Sequence, residues 1–169
     1  MIAMRALLPI APLAIALVTG LVAASPVAAA DYVTIVQTNI VDRPVDAVWA
    51  KIGGYCAIAD WLKVTCELTS GTGEVGTVRR LNGTTVEPMV AKTATSYAYW
   101  QSAGTMTPYQ YHGSLVAEPA GKGRTKLIYT LFYDASLMPS DAVRESEHKR
   151  LEGRFGGALA EMKRLAEAK

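Results

Sequence analysis

The sequence predicts an α+β domain: a curved antiparallel sheet of six to seven strands wrapped on one long C-terminal helix. Three observations carry this. Residues 64–135 are β-rich and punctuated by glycine turns, with no helical period. The last thirty residues carry one long amphipathic pattern. Between the first strand and the rest lie two short helical stretches, too short to form a layer of their own.

Each element follows from its local chemistry. DYVTIVQTNI (31–40) is rich in strand formers and reads as a strand. In DRPVDAVWAKIGGY the period changes. Pro44 suits a first helical turn, Val45, Val48, Trp49 and Ile52 recur at threes and fours, and Gly53-Gly54 stops the run. CAIADWL is a second helical turn with Ile58, Trp61 and Leu62 on one side. VTCELTSG opens the strands, and a glycine turn in GTGEVGTVRRL feeds the next. Asn82-Gly83 is a strong hairpin signal joining TVRRL to TTVEPMVAK. Pro88 implies an edge position or a bulge there. TSYAYWQ (95–101), TPYQYHGSLVAEP (107–119) and RTKLIYTLFYDA (124–135) follow as strands, with AGKG as a turn before the last. Pro139 and Ser140 cap the final helix, and its stripe is Leu151, Phe155, Ala158, Met162 and Leu165. Gly156 and Gly157 interrupt it, marking either close approach to the sheet or a kink that shapes a cavity.

The first thirty residues follow another logic. Arg5, an apolar run from Ala6 to Ala24 and the small-residue end SPVAAA have the layout of a cleaved export leader over 1–30. A single domain over 31–169 follows, placed in the periplasm or secreted, with no stable membrane span after cleavage. The full chain has 17 Lys and Arg against 15 Asp and Glu. Without Arg5 the balance is 16 to 15, a net charge near +1. Such a surface offers no nucleic-acid footprint and no field to steer an anion from a distance.

At this point the residues resemble the START-like or SRPBCC superfamily, including its Bet v 1-like and polyketide cyclase/dehydrase branches. The matching stretches are RPVDAVWAKIGGYCAIADWL (43–62), GTGEVGTVRRL (71–81), YAYWQSAGTMTPYQYHGSLVAEP (97–119) and GRTKLIYTLFYDA (123–135), with the C-terminal helix in place. The resemblance implies a helix-grip fold around one cavity that takes a hydrophobic small molecule or lipid. It implies that Trp49 packs under the sheet and that Trp61 stands near one mouth of the cavity. Gly76 and Arg79 match the glycine-then-arginine element where the chain enters a strand. No shared catalytic set comes with it, and no cofactor.

Six of the eight tyrosines fall in period-two pairs: Tyr97 and Tyr99, Tyr109 and Tyr111, Tyr129 and Tyr133. Ordinary sheet composition explains such pairs, since tyrosine favours strands. A cavity wall of rings carrying hydroxyls explains them too. On the second reading these six, with Trp61, Arg79 and Phe155, line the cavity. Arg79 and Arg80 point to opposite faces of a strand, and an inward arginine needs Glu67 or Glu87 as partner. His148 is either on a solvated helix face or a general base turned into the cavity, and His112 reads as a structural or surface residue. Two histidines and two cysteines without short ligand spacing give no metal site.

Cys56 and Cys66 are too far apart for a redox dithiol motif and have no evident base beside them. In an oxidising compartment two cysteines in a small domain pair, so a Cys56–Cys66 disulfide is expected. The leading functional expectation is an exported binding protein for a hydrophobic small molecule or lipid. A cyclase or dehydratase acting on an aromatic or polyketide-like substrate is one alternative, and a non-catalytic envelope interaction module is another.

Overall fold

The structure, a computed structural model, describes residues 29–168. The expected leader, apart from its last two residues, lies outside them. Ten elements follow in order: β1 (Tyr32–Val41), α1 (Val45–Ile52), α2 (Ile58–Leu62), β2 (Cys66–Ser70), β3 (Val78–Leu81), β4 (Thr85–Thr93), β5 (Ser96–Trp100), β6 (His112–Pro119), β7 (Thr125–Asp134) and α3 (Asp141–Glu167). The seven strands form one antiparallel sheet in the order β1-β7-β6-β5-β4-β3-β2. β1 pairs with β7 along its whole length, from Tyr32↔Asp134 to Val41↔Thr125. The helix-grip architecture is therefore as expected: a curved seven-stranded sheet held against one long helix.

Alternation decides the inner face. Ile35 of β1, Leu127, Tyr129, Leu131 and Tyr133 of β7, Leu115 and Ala117 of β6, and Tyr97 and Tyr99 of β5 are all buried. Against them α3 sets Leu151, Phe155, Ala158, Leu159, Met162 and Ala166, a stripe at helical spacing. Ser140 accepts a hydrogen bond from the Val143 amide and caps the helix, as its position foretold. Gly113 lies opposite Tyr99 across the β5–β6 pair. A Cβ there would run into the Tyr99 ring, so the glycine makes room for it. At the β3–β4 hairpin Asn82 and Gly83 both have positive φ, 48° and 74°, as a type I′ turn demands.

Two local expectations need correction, and for Pro88 the structure decides between the edge and the bulge in favour of an irregularity beside it. Pro44 sits at the N-cap of α1 with extended backbone, one residue before the first turn. Pro88 is not on an edge strand: β4 lies between β3 and β5. It occupies the last β3–β4 pair, Val78↔Pro88, and the register slips just beyond it, between Met89 and Ala91. The missing N–H thus falls where regular pairing ends. Finally, 107–119 is not one strand. Thr107–Tyr109 forms a 3₁₀ turn with proline near its start, Gln110 adopts a left-handed conformation, and β6 begins only at His112. Tyr109 and Tyr111 therefore do not share a strand face.

Gly156 lies over the Gln37 side chain of β1, whose amide donates to the Glu152 carbonyl at 2.8 Å. The nearest atom to a Cβ there is 3.6 Å away, an ordinary contact. Cys56 and Cys66 are joined in a disulfide, with Cα atoms 5.5 Å apart. It ties the residues before α2 to β2, the outer strand of the sheet.

Candidate functional site

The site grows from one buried charge. β3 turns the Arg79 side chain inward and the Arg80 side chain outward. Arg79 is completely buried. A lone guanidinium in that position would be prohibitive. Glu87, directly across the β3–β4 pair, resolves it. Arg79 Nε donates to Glu87 Oε2 at 2.8 Å, and Nη2 lies 2.7 Å from the same oxygen. Nη1 donates to the Tyr55 carbonyl at 2.8 Å. Outside, Arg80 reaches Glu67 at 3.9 Å, so both glutamates weighed as partners are used, one on each face.

Aromatic rings complete the cage. The guanidinium carbon stands 4.2 Å from the Tyr55 ring centre, 4.6 Å from Tyr99 and 5.7 Å from Tyr97. Burial works against the charge, but Glu87 and the three tyrosines outweigh it and hold Arg79 charged. The Tyr55 hydroxyl donates to the Glu87 carbonyl at 2.9 Å. The Tyr99 and Tyr129 hydroxyls are 2.7 Å apart, and Trp61 meets Tyr129 edge-on. Burial pushes the hydroxyls of Tyr97, Tyr99, Tyr111 and Tyr129 above their ordinary value. Near neutral pH they are phenols, able to donate a hydrogen bond and poor as bases.

Beside this cage lies a cavity of about 200 Å³. Its sides are α2, the β3–β4 turn, the segment from Gln101 to Tyr111, and the middle of α3. Leu81, Met106 and Phe155 give it apolar surface, while Glu87, Gln101 and Tyr111 give it polar groups. Arg150 and Arg154, one helical turn apart on α3, also belong to its lining, and both are exposed. The remaining clefts are more open. One, of about 390 Å³, runs between the start of β1 and the first half of α3; another, of about 320 Å³, lies between Trp61 and α3.

The sequence candidates divide accordingly. Tyr99, Tyr111 and Phe155 line the cavity beside the cage. Arg79, Tyr97 and Tyr129 are buried behind its wall, in the core. Trp61 borders the groove against α3, and its indole N–H donates to the Ile52 carbonyl at 3.3 Å. Tyr133 lies in the groove at the β1 end, its hydroxyl 3.3 Å from His148 Nδ1. Tyr109, on its 3₁₀ turn, is only half-buried and lines none of the three clefts. His148 belongs to that same open groove, with Glu152 3.3 Å from its Nε2, and not to the cavity beside the cage. His112 is exposed, its Nδ1 2.7 Å from the Gln110 carbonyl. Among the described residues no group of histidine, cysteine or acidic side chains could hold a metal ion. No helix among them is long and apolar enough to cross a membrane.

Sequence reasoning missed Tyr55, Gln101 and the Arg150–Arg154 pair. The pair did leave a trace. Two arginines four apart flank Leu151 and Phe155 on the same helical face, where a stripe normally ends in mixed charge. Tyr55 left none, because its contact with Arg79 crosses 24 residues of chain.

A curved sheet gripping a long helix, with a cavity between them, defines a ligand-cavity fold of the START-like/SRPBCC type. The chain belongs to the family described as polyketide cyclase / dehydrase and lipid transport, which matches residues 32–167. Solved structures repeat the architecture. The ZhuI aromatase/cyclase from a Streptomyces species is 19% identical, with 81% of this chain and 94% of that one covered and a TM-score of 0.68. A protein from Thermobifida fusca is 23% identical, covering 79% and 95%, with a TM-score of 0.65. A protein from Nitrosospira multiformis is 21% identical, covering 76% and 95%, with a TM-score of 0.61. At such identities the likeness is one of fold. No curated protein matches the chain.

Proposed function

We propose that this chain is an exported binding protein that holds a small molecule with an apolar ring in the cavity between sheet and α3. The observation that carries the reading is the half-open cavity of about 200 Å³ set against a buried Arg79–Glu87 pair. Its size favours a molecule of one substituted ring. Sites for drug-sized ligands run to roughly 300–1,000 Å³, so a multi-ring polyketide or a diacyl lipid would need the walls to move apart. Binding is favoured over cyclase or dehydratase chemistry. Neither histidine reaches the cavity, its tyrosines are held protonated, and the Glu87 charge is already matched by Arg79. The cavity also counts against a purely structural envelope module. The leader pattern over 1–30 and the Cys56–Cys66 bond support an oxidising compartment outside the cytoplasm.

The test is purification of the exported protein under native conditions, with N-terminal sequencing and mass spectrometry. The expected outcome is a chain beginning at Asp31 that carries an apolar compound at near one-to-one. An uncleaved chain retained in the cytoplasm would refute export. An empty protein that also fails to take up small aromatic probes would refute binding.

A further inference from the structure

We infer the chemistry of the ligand: a small molecule with a hydroxyl at its inner end and an anionic group, such as a carboxylate, at its outer end. This rests on the reading that the cavity is a binding site.

The inner end is defined by what its polar groups leave unused. Glu87 engages Arg79 through Oε2 alone. Its Oε1 accepts no hydrogen bond among the described residues, and Glu87 lines the cavity. Gln101 presents the complementary group. Its Oε1 accepts from the Met106 amide at 2.7 Å, and its NH₂ meets no acceptor among the described residues. A ligand group that reaches both residues, which line one cavity, meets an acceptor from Glu87 and a donor from Gln101. A carbonyl could only accept and an ammonium could only donate, whereas a hydroxyl does both. Tyr111, a protonated phenol on the same wall, adds a further donor.

The outer end is defined by charge. Arg150 forks onto Glu147 through Nε and Nη2, at 2.9 and 2.6 Å to one oxygen. Arg154 has no carboxylate partner among the described residues, although it is one turn away on the same helix. An exposed, unmatched guanidinium at the edge of a cavity suits an anion. Leu81, Met106 and Phe155 between the two ends suit an apolar ring.

The probe set is para-hydroxycinnamate, para-methylcinnamate, the methyl ester of para-hydroxycinnamate, and naphthalene, each titrated calorimetrically into the full disulfide-bonded protein. Replacing hydroxyl by methyl on the ligand interrogates Glu87 and Gln101 without disturbing the buried ion pair. The expected result is that para-hydroxycinnamate binds most tightly. The methyl analogue should bind about tenfold to a hundredfold more weakly, because two buried polar groups then go unpaired. The ester should bind about threefold to tenfold more weakly, and Arg154→Ala should erase the difference between acid and ester. Binding of all four probes within twofold of one another, or an unchanged acid–ester difference in Arg154→Ala, would overturn this ligand class while leaving the binding reading intact. Failure of every probe to bind, naphthalene included, would overturn both.

Discussion

Arg79 shows how one residue organises the interior. Its charge is compatible with complete burial because Glu87 faces it across a strand pair and three tyrosine rings surround it. Removing one partner strands the other. Arg79→Met should cost about 3–5 kcal/mol, and Glu87→Leu a similar amount. The double variant should be less destabilised than either single one, because no unpaired charge then remains. Urea unfolding of the four proteins checks this. Additive losses would mean that the pair is not coupled as its geometry states.

At the scale of elements, the glycines separate packing from propensity. In α3 nothing lies within 4 Å of a Cβ added at Gly157, so Gly157→Ala should stabilise the helix by about 0.5–1 kcal/mol. Gly113→Ala should do the opposite. The new methyl would press on the Tyr99 ring, and Tyr99 is held in turn by Tyr129 and by the Arg79 cage. Thermal melts of both variants measure the difference in sign. A loss of stability in Gly157→Ala would point to a bend at that turn which depends on the glycine. The cavity depends on elements of the same modest size: the five-residue α2, the β3–β4 turn and the segment between β5 and β6.

Across the whole molecule, the disulfide secures the end of the sheet opposite β1. β2 is an outer strand of five residues, mostly exposed, hydrogen-bonded only to β3. The Cys56–Cys66 bond closes a loop of eleven residues, and chain-entropy reasoning assigns it about 2.5–3 kcal/mol. Reduction should therefore lower the urea midpoint. It should also speed hydrogen exchange in α2 and β2 before β1 and β7 are affected, since those two strands are paired over ten residues. Uniform exchange across the sheet on reduction would show that the link stabilises the domain globally instead of guarding one lip of the cavity.

Much of this was legible in sequence because periodicity is local. The alternation in YAYW placed Tyr97 and Tyr99 on one face, which the structure buries, the 4-3-4 steps of α3 named its core stripe, and Asn82-Gly83 located a hairpin. Adjacency in β3 put the two arginines on opposite faces, and the expectation of export implied the disulfide that joins Cys56 and Cys66. Tyr109 was misplaced for the same local reason. Its spacing from Tyr111 imitates a strand, while the proline beside it and the left-handed Gln110 make a turn. What only the tertiary structure decided is which buried groups meet. Tyr55 reaches Arg79 across 24 residues of chain, and Arg150 and Arg154 join Glu87 and Gln101 around a single cavity only after α3 has packed against the sheet. Sequence by itself determined which side chains must be buried, because burial follows the period of the backbone. Their partners and the size of the space between them follow from how sheet and helix close on one another, which no local spacing contains.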